Sequence, residues 1–131
     1  TISIDTRPVK GQTTDMVEKL LRDLLERLTT TVSDFKFDIR RIFSRSPHSI
    51  SPEHPFVELV KKHATQSMGV SPIVRGETYW TDMALLTDAG IPGVIWGPRG
   101  FGLHSKQEWV EVESSLQLLR SLVAIEKEFC G

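Results

Sequence analysis

The chain has 131 residues, enough for one domain of ordinary size, and its 39% hydrophobic and 25% charged residues support a packed core and argue against disorder. Sixteen basic against seventeen acidic residues leave a net charge of -1, with no basic run to track a phosphate backbone, so nucleic acid is not indicated as a partner. No apolar run approaches a membrane span, no signal-peptide pattern opens the chain, and the single cysteine, Cys130, cannot close an internal disulfide. These features fit a soluble protein of the cytoplasm with no membrane partner.

The chain opens at Thr1 directly in a strand pattern, with Ile2 and Ile4 alternating with Ser3 and Asp5, which leads us to expect a piece of a longer protein. Thr13 and Thr14 offer helix N-caps, and Asp15 and Glu18 in the first turn complement the helix dipole. Val17, Leu20, Leu21, Leu24, Leu25 and Leu28 follow at the three-and-four spacing of one helix face, with Lys19, Arg22, Asp23, Glu26 and Arg27 opposite. After TTTVSD, the alternation of Phe35, Phe37 and Ile39 with Lys36, Asp38 and Arg40 predicts a second strand, lasting to Phe43. The first forty-odd residues therefore read strand, helix, strand.

Ser44 to Pro55 holds three prolines and four serines with no apolar periodicity, and marks a linker and a domain boundary. Beyond it, Phe56, Leu59, Val60, His63 and Ala64 form a helix face stopped by Gly69, with His63 expected at its amphipathic boundary. A short strand in SPIVRG precedes a short helix in TDMALLTDAG, capped by Gly90. IPGVIWG is nearly all apolar, the pattern of a strand buried on both sides of a parallel sheet. A last helix runs from about Ser114 to Phe129 on Leu116, Leu119, Leu122, Val123 and Phe129. The alternation of helix and strand makes this second part α/β.

The chemistry gathers after the apolar strand 91–96. Reactive groups in open parallel sheets collect in loops at the carboxyl ends of strands, and here GPRGFGLH delivers His104 from a loop with glycines at 97, 100 and 102. Glycine permits torsions closed to other residues and lets main-chain N–H groups approach a ligand. An imidazole so placed could act as general base, metal ligand or anion donor, or be a plain loop histidine. The run lacks GxGxxG, no Walker lysine follows, and it comes late in the chain, which argues against a nucleotide site.

Four ordered segments carry a resemblance. Gly97-Pro98, five residues, His104, three residues, Glu108 and then W-V-x-V is similar to the C-terminal signature of the zinc metallopeptidases that include acetylornithine deacetylase and succinyl-diaminopimelate desuccinylase. IDTRPVKGQTTDMV resembles the strand-to-helix passage D-x-R-x-x-x-G of that family's dimerisation domain, and SPHSISPEHPFVELV its linker back into the catalytic domain. YWTDMALLTDAGIPGVIWGP resembles its T-D…G-I-P segment.

The resemblance implies an α/β fold: the second half (β-α-β) of a ferredoxin-like dimerisation, or lid, domain over residues 1–46, then the C-terminal part of a parallel-sheet zinc-peptidase catalytic domain over 47–131. It implies a two-metal zinc site whose last ligand corresponds to His104. Glu108 would then hold the loop or the imidazole in place, with a solvated carboxylate as the plainer alternative. Asp82 of the T-D pair would line the site, or simply cap the helix that follows it. Arg99 with the main chain of Gly100, Phe101 and Gly102 would cradle a substrate carboxylate, and Arg75 is a second candidate for that role. Asp5 and Arg7 read as a structural ion pair on one strand face, and His48, His54 and His63 match no ligand position.

The family's other ligands, an H-x-D motif, a bridging Asp and a Glu-Glu pair that supplies the general base, have no counterpart here. No catalytic residue is therefore assigned within the chain, and zinc, which needs three or four converging ligands, would be incompletely held. The expectation is a fragment of a zinc-dependent amidohydrolase, inactive in isolation, whose parent removes an acyl group from N-acyl amino acids or cleaves small peptides by metal-activated water. Half a lid leaves an exposed sheet edge, which predicts a homodimer or pairing through that edge. The alternative is a non-catalytic association module derived from the same family.

Overall fold

A computed structural model describes residues 1–131, which divide into two compact units: Thr1–Ser49 with Thr78–Gly90, and Ile50–Glu77 with Ile91–Gly131. The first break falls inside the Ser44–Pro55 linker, while the segment Thr78–Gly90 packs with the first unit.

In the first unit, helix α1 spans Thr14–Thr31. It starts where the Thr13 hydroxyl accepts the Met16 N–H at 3.2 Å, satisfying one donor the first turn leaves free. It ends in three consecutive threonines, whose hydroxyls bond back to carbonyls three and four residues earlier. β-Branched residues with that competing option are poor helix formers, so the helix stops there. Val17, Leu21, Leu25 and Leu28 are half-buried. The stripe Met16, Leu20 and Leu24 is exposed, Leu20 to 68%. The predicted apolar face is thus split into a covered and an uncovered half.

The segment after α1 keeps a period of two in its burial: Phe35, Phe37 and Ile39 are half-buried and Lys36, Asp38 and Arg40 exposed. Arg41 returns it to the first turn of α1, where its guanidinium donates to Glu18 at 2.8 and 3.1 Å and also to Asp15. A short helix α2, Met83–Asp88, completes the unit, and His48 Nδ1 meets the Thr87 hydroxyl at 2.6 Å.

In the second unit, helix α3, Pro55–Met68, begins with proline at its first position and with His54 Nδ1 accepting the Phe56 N–H. It ends at Gly69, whose φ of 75° makes the left-handed C-cap. Helix α4, Val112–Cys130, lies antiparallel to α3, with Phe56 against Phe129 at one end and Ser67 bonded to Ser121 at the other. Val57, Val60 and Ala64 of α3 and Ile125 of α4 form the core between them. His63 is buried in this seam instead of lying at the helix boundary, with Nε2 2.9 Å from the Glu128 carboxylate.

The predicted strands at 2–5, 35–43, in SPIVRG and at 91–96 carry no ladder. The one sheet is a hairpin of β1, Gly100–Phe101, and β2, Trp109–Val110. The reason is physical: a strand's N–H and C=O groups need a neighbour, and these segments find none within the chain. Ile2 is 86% exposed, and Ile91 and Ile95 also face solvent, so within this chain the segment 91–96, expected as a strand buried on both sides, is covered on neither by a sheet neighbour. No helix is long and apolar enough to cross a membrane.

Candidate functional site

The GPRGFGLHSKQEWV run folds as a short antiparallel hairpin, with Gly100 opposite Val110 and Phe101 opposite Trp109. Two of its three glycines answer a steric demand. A Cβ on Gly100 would lie 2.3 Å from the Trp109 carbonyl oxygen, and one on Gly102, whose φ is +77°, would lie 1.9 Å from that of Gln107. The tip is a β-turn closed by the Ser105 N–H donating to Gly102 O at 2.7 Å, with Leu103 and His104 as its central residues.

His104 adopts φ 62°, one of two non-glycine residues in the chain with a left-handed backbone. The third position of such a turn ordinarily falls to glycine or asparagine. The imidazole is exposed, and the residue's hydrogen bond is made by its main-chain N–H, which donates to the Glu108 carboxylate at 3.3 Å. The Ser105 hydroxyl organises the descending side, donating to Gln107 O at 2.8 Å and accepting the Gln107 N–H.

At the stem the Glu111 N–H donates to Arg99 O at 2.9 Å, and the two side chains form an ion pair at 3.0 Å. The Ser114 hydroxyl, buried in the first turn of α4, accepts the Arg99 N–H at 2.8 Å and donates to Glu111 O at 3.0 Å.

The hairpin thus brings together Arg99, Gly100, Phe101, Gly102, His104 and Glu108. Arg99 is not a free cation, since Glu111 holds its guanidinium; Arg75 is likewise paired, with Glu77 at 2.7 Å. Phe101 is exposed, its ring 6.5 Å from that of Trp109. Asp82 belongs to the other unit, where it is the N-cap residue of α2 but makes no side-chain cap bond. Asp5 and Arg7 pair with each other at 3.0 Å. Sequence reasoning missed Glu111 and Ser114. The signal for Ser114 was a serine in a first helical turn two residues after a W-V-x-V run, which composition does not separate from an ordinary capping residue.

The donor set meets the needs of a zinc site only in part. An exposed imidazole with no competing hydrogen bond suits the metal, yet no group of three or more His, Cys, Asp and Glu side chains converges anywhere in the chain. His104 fits as one ligand, and the chain does not supply a complete site.

Residues 2–127 match the peptidase family M20/M25/M40. The chain belongs to this family. Peptidase T of Shewanella pealeana (strain ATCC 700345 / ANG-SQ1) and Peptidase T of Shewanella halifaxensis (strain HAW-EB4) are each 27% identical to it over 114 residues. Those residues are 87% of this chain and 26% of each relative, so the chain spans about a quarter of the length of the curated relatives it matches. No solved structure matches it. The His104 hairpin lies within the matched residues of this family member.

Proposed function

We propose that this chain contributes the His104 hairpin to the active site of a metal-dependent hydrolase that cleaves a C–N bond in small peptides or N-acyl amino acids. The observation that carries the reading is the family match over residues 2–127 together with an imidazole presented, unengaged, at the tip of a short hairpin. In this reading residues 1–46 are half of a ferredoxin-like lid and 47–131 the C-terminal part of a parallel-sheet catalytic domain, whose remaining strands would pair with the bare segments 2–5, 35–43 and 91–96. The parent is a cytoplasmic enzyme of the Peptidase T or acetylornithine deacetylase kind.

His104 serves as a zinc ligand whose partners come from outside the chain, and bound zinc would supply a water activated near neutral pH and a Lewis acid for the scissile carbonyl. The chain itself offers the imidazole, the exposed main chain around Gly100, Phe101 and Gly102, and Arg99, which reaches a substrate carboxylate when it leaves Glu111. The chain alone is inactive.

The test is the longer natural protein containing this chain, assayed on small peptides and N-acyl amino acids with chelator and after zinc is restored. Turnover that chelator leaves untouched overturns the reading. The exposed stripe Met16, Leu20 and Leu24 favours a second reading, a non-catalytic association module. It predicts dimerisation of the chain indifferent to zinc.

A further inference from the structure

We propose that Glu108 and Ser114 are positioning residues that hold His104 in its left-handed conformation, Glu108 at the tip of the hairpin and Ser114 at its stem. The inference deepens the reading of His104 above and rests on it for its meaning in catalysis.

An L-residue at φ 62° is disfavoured because its Cβ crowds the following carbonyl, and such a residue persists only where the surroundings over-determine it. Glu108 supplies one constraint. Its carboxylate accepts the N–H of His104 itself, so the peptide plane that sets the direction of the imidazole is tied to the start of β2. A turn relaxed to negative φ would swing that N–H away from Glu108 and carry the ring elsewhere. The contact is to main chain, so any acceptor of similar reach at position 108 would serve.

Ser114 supplies the other constraint. Strands of two residues do not hold a hairpin by themselves. The Ser114 hydroxyl, with the residue 6% exposed, takes the Arg99 N–H on one stem and donates to Glu111 O on the other, pinning both to the first turn of a nineteen-residue helix. Glu111, the N-cap residue of α4, makes no side-chain cap bond and turns its carboxylate to Arg99 instead. The helix start is therefore organised around the hairpin stem, and the geometry of the tip is passed to it from α4.

The test compares Glu108→Ala, Glu108→Gln, Ser114→Ala and Ser114→Thr. Amide hydrogen exchange and the backbone chemical shifts of His104 are measured by NMR in the 131-residue chain. Steady-state kinetics are measured in the longer natural protein. Glu108→Ala is expected to speed exchange at the His104 amide at least 5-fold and to move its shifts off the left-handed signature, while Glu108→Gln retains both. Ser114→Ala is expected to loosen the whole hairpin, and Ser114→Thr to restore it. In the longer protein the alanine variants lower kcat about 10-fold with KM little changed.

Unchanged exchange and shifts at His104 in Glu108→Ala overturn the proposal, and that exposed position can be altered even if Ser114→Ala fails to fold. If the exchange results hold but His104→Ala leaves turnover intact, the functional reading fails and the positioning stands.

Discussion

His104 carries a backbone conformation that costs on the order of 1–2 kcal/mol in an L-residue. His104→Gly should therefore leave thermal stability unchanged or raise it, whereas His104→Val, with a branched Cβ in the same region, should lower it by about 1–2 kcal/mol. Urea melts of the two variants check this, and a His104→Gly variant less stable than His104→Val would contradict the strain. Gly102→Ala should be worse than either, because it adds a contact of 1.9 Å with the Gln107 carbonyl oxygen to its own positive φ. We expect a loss of about 2 kcal/mol or more, with the Trp109 fluorescence of the hairpin disturbed before global unfolding. The importance of the glycines was legible in the sequence, but their task was not. The spacing of 97, 100 and 102 reads equally well as a ligand cradle, and only the cross-hairpin distances reveal close backbone approach at two of the three. Arg99 illustrates the same limit: an arginine beside a glycine loop reads as an anion site until Glu111, twelve residues on, closes over it.

At the scale of elements, α3 and α4 approach closely because small residues line their seam. Ala64 is 0% exposed, and Ser67 and Ser121 bond to each other across it. Ala64→Leu should overpack the contact and cost about 1–3 kcal/mol, seen as a lowered urea midpoint at constant m-value. Glu128 closes the other end of the seam, accepting from Lys62 at 2.6 Å and from His63. The Lys62 ammonium first, and the His63 ring second, hold its carboxyl below the ordinary value of 4.5. A carboxyl with a depressed folded-state pKa binds protons more readily when unfolded. Its contribution is therefore complete above pH 4.5 and is lost as pH falls through the lower folded value. Glu128→Gln should lower Tm above pH 5, and the difference should close as acid is added. Equal Tm differences at pH 3 and pH 7 would refute this. Helices were read from the sequence nearly to the residue, since α1, α3 and α4 each announce themselves by spacing and by a cap or stop. Strands were not, because a period of two specifies a face and leaves the hydrogen-bonding partner unnamed. Phe35, Phe37 and Ile39 keep that face without a ladder.

Across the whole molecule, apolar side chains remain exposed on every bare segment, among them Ile2, Ile4, Ile42, Phe43, Ile91 and Ile95, besides the α1 stripe. Surface of this kind seeks cover. The chain should sediment as concentration-dependent oligomers and bind a hydrophobic dye, and Leu20→Glu with Leu24→Glu should shift it toward smaller species. A strictly monomeric chain with no dye binding would argue against any docking role for that face.

The sequence by itself determined the helices and the peptidase family, and drew attention to the glycine run that ends in His104, because these rest on local spacing and on motif order that survives without a partner. Only the tertiary structure decided which glycines serve close packing, that Glu108 grips the main chain of His104 and not its ring, that Arg99 is paired, and that His63 is buried. Each of those depends on distances between residues whose separation along the chain carries no record of their meeting in space.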